Sequence, residues 1–145
     1  MSVQKCYIGW DVGAWNCDKN KSSRDGIVIL NEDGGFVGKK RGSLRDLIND
    51  SETDLQFLIN LFKECNLTYQ GQHIVLAVDA PLGYSEAFVN LVTTYSAHPS
   101  QIDKFKDNPY IFRATERFLY DKGYTPLSAV NHMIGSQSTK AIHFI

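Results

Sequence analysis

Little in this sequence of 145 residues announces a function at once. It has only three cysteines, Cys6, Cys17 and Cys65, and no C-x-x-C pair, which excludes a zinc ribbon and a dithiol redox motif. An odd, widely spaced set is what a reducing cytoplasm permits, not a disulfide framework. Cys6 and Cys65 sit in apolar patterns and are expected to be packed thiols. Cys17 lies in a polar stretch and is the candidate reactive thiol, although nothing beside it in sequence activates it. Charge of one sign is lacking too. Fifteen Lys and Arg against sixteen Asp and Glu leave a net charge of −1, which excludes indiscriminate attraction to nucleic acid. A nucleic-acid partner would need a local basic patch, such as Lys39, Lys40, Arg41 and Arg45, or Lys19, Lys21 and Arg24. The plainer reading makes these solvated surface charges. No apolar run reaches membrane-spanning length, and the polar start from Met1 to Lys5 does not open a secretory leader. There is no Walker A loop, no dinucleotide fingerprint, no internal repeat and no low-complexity tract. Four histidines, His73, His98, His132 and His143, show no ligand spacing. Ser85, in Gly-Tyr-Ser-Glu-Ala, lacks the second glycine of a nucleophile elbow.

What is present is the make-up of an ordinary globular chain, 43% apolar and 21% charged, enough for one domain with a real core over residues 1–145. Residues 5–12 read as a first strand, Ala14 to Arg24 as a polar loop, and 26–30 as a second strand. Asn31-Glu32-Asp33-Gly34-Gly35 is a hairpin turn, because Asp-Gly and Gly-Gly supply positive φ. Phe36 to Gly42 returns as a third, more polar strand nearer an edge. A helix is expected at 52–65, capped by Ser51 with Asp54, with Leu55, Leu58, Ile59 and Phe62 as its apolar stripe. The apolar run 73–79 reads as a central strand covered on both faces, stopped by Pro81. Ser85 caps a helix with Phe88, Leu91, Val92 and Tyr95 as its apolar face, broken at His98-Pro99. Residues 100–110 are a charged loop. Arg113 to Lys122 is a helix ended by Gly123, and a last helix covers 128–140. The chain closes on the apolar run Ala141 to Ile145, which implies a buried final element or a larger surrounding domain.

Two acids stand where chemistry would need them. Asp11 closes the first strand in Asp-x-Gly, and Asp79 closes the fourth strand before Ala-Pro-Leu-Gly. A carboxylate at the end of an apolar strand is costly unless it is hydrated, paired or metal-bound. The order βββαβ brings these strand ends side by side, so the pair could share a divalent cation. The alternatives are an ordinary strand-to-turn aspartate at 11 and a turn cap at 79. Gly13 would let the backbone approach a phosphate closely. Arg113 and Glu116 fall on one helix face. There Glu116 is the candidate further carboxylate and Arg113 the candidate phosphate ligand, or the two form a plain surface ion pair. Glu86 is a further acid, suited to the first turn of its helix.

Three segments taken together resemble a known family: Ile8-Gly9-Trp10-Asp11-Val12-Gly13, Val78-Asp79-Ala80-Pro81-Leu82-Gly83, and Arg113-x-Thr115-Glu116 followed by Gly123-x-x-Pro126-Leu127-Ser128. The family is an uncharacterised one of predicted nucleases with a ribonuclease H-like fold, carried as a domain of unknown function. The resemblance spans nearly the whole chain. It implies an α/β fold, with a mixed five-stranded sheet of three antiparallel strands then βα elements and helices on both faces. It also implies Asp11 and Asp79 as ligands of Mg²⁺ or Mn²⁺, with Arg113 and Glu116 matching the family's Arg-x-Thr-Glu. One departure stands out. The family continues into a further strand and helix that commonly supply another carboxylate, and this chain stops at Ile145. A shortened domain of that kind would leave its metal site incomplete and expose the edge of the fourth strand, inviting a homodimer.

The expectation is therefore a metal-dependent nuclease or phosphodiesterase using Asp11, Asp79 and Glu116, acting on nucleic acid or a nucleotide in the cytoplasm. Two rivals remain. Asp-x-Gly after a first strand also occurs in ATP-binding domains of the actin-like and sugar-kinase type, which need two such domains to enclose the nucleotide. The third reading is a non-catalytic module that keeps the fold and binds a partner.

Overall fold

The computed structural model describes residues 4–17, 19–132 and 134–144. Expectations touching Met1, Ser2, Val3, Asp18, Met133 and Ile145 lie outside them. The chain divides into two compact units. One runs as far as Ala80 and includes Phe144, and the other runs from Pro81 to His143.

The first unit is built on a mixed sheet. Its strands are β1 (Lys5–Asp11), β2 (Asp25–Leu30), β3 (Phe36–Gly42) and β4 (His73–Asp79). β1, β2 and β3 form an antiparallel meander, β4 lies parallel to β1, and the order across the sheet is β3-β2-β1-β4. The β2–β3 turn forms as its residues dictate. Gly34 takes φ +78° and the Asn31 side chain accepts the Gly35 N–H at 2.7 Å. Along β1 burial alternates strictly, so Cys6, Ile8 and Trp10 face a core while Lys5, Tyr7, Gly9 and Asp11 face away from it. Ile27 and Ile29 of β2 are buried too.

Two helices link β3 to β4: α1 (Arg45–Asn49), which the sequence did not suggest, and α2 (Asp54–Glu64). The cap of α2 is Thr53, whose hydroxyl accepts the Gln56 N–H at 3.1 Å. Ser51, the expected cap, instead donates to the Leu47 carbonyl at 2.7 Å at the end of α1. The buried face of α2 is Phe57, Leu61 and Phe62, with Leu55 and Ile59 exposed. Of the expected stripe Phe62 is buried and Leu58 half-buried, and Phe57 and Leu61 complete the inward face. Lys40, on the core side of β3, pairs with Glu64 at the end of α2.

β4 departs from expectation. It is the outer strand among those described, and most of its residues are exposed despite their apolar character. Apolar content reports a preference for burial, not the presence of a neighbour. The fifth strand implied by the resemblance is not among the described residues.

The second unit is helical. α3 (Glu86–Thr94) is capped by the Ser85 hydroxyl, which accepts the Phe88 N–H at 3.2 Å. It ends before His98-Pro99, with Tyr95 left-handed at φ +56°, and Val92 and Tyr95 of the expected apolar face are exposed. Residues 100–110 form the expected loop, with one short 3₁₀ turn at Phe105–Asp107. α4 (Ala114–Asp121) ends before Gly123 as expected. α5 (Gly135–Phe144) starts seven positions later than the 128 read from sequence, because Ser128 is held in a turn. Its hydroxyl donates to the Ile111 carbonyl at 2.6 Å, and its N–H donates to His132 Nδ1 at 2.8 Å.

Candidate functional site

The strand register places one residue from each strand in a single row. Arg41 is opposite Gly26, Gly26 is opposite Asp11, and Asp11 is opposite Asp79. Adjacent strands stand about 4.8 Å apart, and register partners on one face rise together, so the two carboxylates are immediate neighbours. The next row on that face is Lys39, Val28, Gly9 and Ala77. A cavity of about 850 Å³ opens over both rows, wholly within the first unit. Small residues make its floor, acids one wall and bases the other. A Cβ added at Gly26 would lie 3.6 Å from Asp11 Oδ2 and 3.9 Å from Arg41 Nη1, so both charged groups lean over the bare glycine. Asp11 and Asp79 are exposed, and neither accepts a hydrogen bond or ion pair among the described residues. Two like charges side by side with no donor between them form an attractive seat for a cation.

What holds the end of β1 in place is a residue that sequence reasoning missed. Asp25 opens β2 and is only 1% exposed. Its Oδ1 accepts the Trp10 indole N–H at 3.0 Å and the Gly13 N–H at 2.8 Å, and its Oδ2 accepts the Leu44 N–H at 2.8 Å. The Cys17 thiol points at the same Oδ2 from 3.9 Å. A buried carboxylate is tolerated only when so surrounded by donors. The sole trace of this in the sequence is an acid opening an apolar strand.

This arrangement changes two expectations. The Gly13 amide that seemed available to a phosphate donates to Asp25, and Gly13 is buried. A side chain there would sit 2.4–2.6 Å from backbone atoms of Ser23, Arg24 and Asp25, so glycine is needed for close packing of the loop. Cys17, the candidate reactive thiol, is buried, and Cys6 and Cys65 are buried as expected. Burial pushes the Cys6 and Cys65 thiols above their ordinary values.

Arg113 and Glu116 lie in the second unit and satisfy one another. The Arg113 N–H donates to Glu116 Oε2 at 2.9 Å, its Nε donates to both carboxylate oxygens at 3.0 Å, and Nη2 completes an ion pair. This is no solvated surface pair, since Glu116 is only 5% exposed. Burial pushes its carboxyl up, but the hydrogen bonds and charge of Arg113 outweigh that and hold it below the usual carboxylate range. The bond to Glu116 in turn raises the Arg113 guanidinium further, against the effect of burial. Arg113 also lines a cavity of about 490 Å³ with Thr115, Arg117 and His98. Of the expected residues, Asp11 and Asp79 are register partners, Gly13 is bound to Asp25, and Glu116 is paired with Arg113 in the second unit.

Among the described residues no cluster of three or more His, Cys, Asp or Glu is placed to hold a metal. No helix among them is long and apolar enough to cross a membrane. No protein-family model matches this chain, and no curated protein and no solved structure matches it either.

Proposed function

We propose that the open sheet face of the first unit is the site of a metal-dependent phosphodiesterase of the ribonuclease H-like class, with nucleic acid as the substrate. The observation that carries this reading is the row Arg41, Gly26, Asp11, Asp79 opening onto one cavity. The antiparallel meander with a parallel strand beside β1 is compatible with such a fold. The acids fit a hard divalent cation. They are exposed oxygen donors without protein partners among the described residues, and Mg²⁺ is commonly held by one or two carboxylates, with substrate phosphate and water filling the remaining positions.

In this reading Asp11 and Asp79 hold Mg²⁺ or Mn²⁺, which when bound polarises the phosphate and lowers the pKa of water. Arg41, across the glycine gap, takes a phosphate oxygen in a charge-assisted hydrogen bond. Lys39 in the next row supports a neighbouring phosphate as a point charge. Gly9, Gly26 and Ala77 keep the floor low, so a polymer backbone can lie across the sheet. Hydrolysis forms one P–O bond from water and breaks the P–O bond to the leaving alcohol. Glu116 and Arg113 are assigned to holding the start of α4, because each is already the other's partner.

The test is cleavage of single- and double-stranded nucleic acid in Mg²⁺ or Mn²⁺ by the wild type, Asp11→Asn and Asp79→Asn. Metal-dependent cleavage that both variants lose supports the reading. Cleavage undiminished in either variant overturns it.

A further inference from the structure

Among the described residues β4 is paired on one side only, and its own sequence carries no protective device. Its seven residues, His-Ile-Val-Leu-Ala-Val-Asp, include no proline, lysine or arginine, and Val75 and Leu76 are 41% and 38% exposed. The edge also has a defined polarity. The His73 N–H donates to the Gln4 carbonyl at 2.9 Å, so His73, Val75, Ala77 and Asp79 turn their backbone groups toward β1. Ile74, Leu76 and Val78 therefore turn their N–H and C=O groups outward.

We propose that two copies of this chain pair antiparallel along β4, centred on Leu76, and that the partner's His73 then stands beside Asp79 as a third cation ligand. The register follows from parity and from charge. Directly opposed residues in an antiparallel pair point to the same face, so only registers that oppose odd to odd and even to even keep both core faces on one side of the joint sheet. Of these, the register centred on Leu76 pairs every residue of β4. It sets Leu76 against Leu76 of the partner subunit and Ile74 against Val78 of the partner subunit, and each such pair exchanges two N–H···O bonds. Shifting by two residues in either direction brings Ala77 or Pro81 opposite His73 and leaves Asp79 without a basic neighbour. In the centred register the partner's His73 faces Asp79 across a narrow, non-hydrogen-bonded pair, with Cα atoms about 4.5 Å apart.

The consequence is chemical. The row across the sheet becomes Arg41, Gly26, Asp11, Asp79 and the partner's His73, all on the open face. Two carboxylates and an imidazole form a borderline donor set that suits Mn²⁺ better than Ca²⁺. Each dimer carries two such sites at opposite ends of the paired strands, about 20 Å apart. The ligand half of this inference rests on the cation reading above, and the strand pairing does not.

The experiment uses the full chain. Sedimentation reports its oligomeric state, and mild oxidation of single-cysteine variants reports the register. The native cysteines are all buried, so an introduced thiol is the accessible one. Leu76→Cys should form a covalent dimer, since the two Cα atoms lie about 5.5 Å apart across the axis. Val78→Cys should not, since its copies lie about 13 Å apart. Mn²⁺ calorimetry then compares the wild type with His73→Ala and Leu76→Pro. The proline removes an outward-facing N–H, which an edge strand tolerates, together with a partly exposed leucine side chain, so circular dichroism must first show the variant folded. Changes around metal ligands alone cost about 10–100-fold in affinity, so loss of a ligand should weaken Mn²⁺ binding at least about tenfold in both variants. His73→Ala should stay dimeric, and Leu76→Pro should be monomeric. A monomeric wild type, crosslinking through Val78→Cys in place of Leu76→Cys, or Mn²⁺ binding indifferent to His73→Ala overturns the proposal. Indifference to His73→Ala leaves the cation reading standing. Absence of any Mn²⁺ binding in the wild type defeats the cation reading itself, while sedimentation still decides the strand pairing.

Discussion

Asp11 and Asp79 are register partners at the carboxyl ends of two parallel neighbouring strands, and both face the open side of the sheet. The relationship is produced by the alternation of β1. Trp10 must point to the core, so Asp11 points away from it, and the parallel register carries Asp79 to its side.

Asp25 should be the residue whose loss costs most around this site. Asp25→Ala leaves the buried donors of Trp10, Gly13 and Leu44 unsatisfied, at about 1–3 kcal/mol each. Urea unfolding should show a lower midpoint with an unchanged slope, by about 3 kcal/mol or more in total. Asp25→Asn, which keeps one carbonyl oxygen, should lose less. A midpoint unchanged in Asp25→Ala would mean that these hydrogen bonds do not hold the loop.

Gly13→Ala tests the same packing from the other side. The added methyl would meet backbone at 2.4–2.6 Å, so the 23–25 segment must shift. The expected destabilisation is about 1–3 kcal/mol, the usual range for overpacking, seen as a lower melting temperature. A neutral substitution would show that the loop yields freely.

The Arg113–Glu116 pair predicts a pH dependence with a definite sign. Arg113 holds the Glu116 carboxyl below its unfolded value of about 4.3. As pH falls the unfolded chain takes up the proton first, so the pair's contribution is complete above the unfolded pKa and is lost as pH falls through the folded one. Glu116→Gln should be less stable than the wild type at pH 6, and the gap should close in acid. Denaturant titrations across that range check it, and a gap constant down to the acid limit would contradict it.

The meander was legible because its turn carries glycines and its strands alternate, all within short sequence separations. The convergence of Asp11 and Asp79 was legible from element order. The outer position of β4 was not, since Ile74 to Val78 are equally apolar at a centre or an edge. Asp25 was hidden because its donors, Trp10, Gly13 and Leu44, come from three separate segments. The late start of α5 was hidden in the same way, since Ser128 is pinned to Ile111, seventeen residues away.

If Arg41 binds phosphate as proposed, its loss should leave cation binding at Asp11 and Asp79 intact. Arg41→Ala should weaken binding of a short oligonucleotide by about tenfold to a hundredfold, the value of one charge-assisted hydrogen bond. Mn²⁺ affinity in the absence of nucleic acid should not fall. Filter binding in low salt measures the first, and equal oligonucleotide affinity would remove Arg41 from the site.

The most direct measurement is Mn²⁺ titration calorimetry of the wild type beside Asp11→Asn and Asp79→Asn, with circular dichroism confirming that all three are folded. Both side chains are exposed and without partners among the described residues, so neither substitution should disturb the fold. The account predicts saturable Mn²⁺ binding to the wild type, weakened by roughly tenfold or more in each variant. Mn²⁺ binding of equal strength in all three, or none in the wild type, would contradict it.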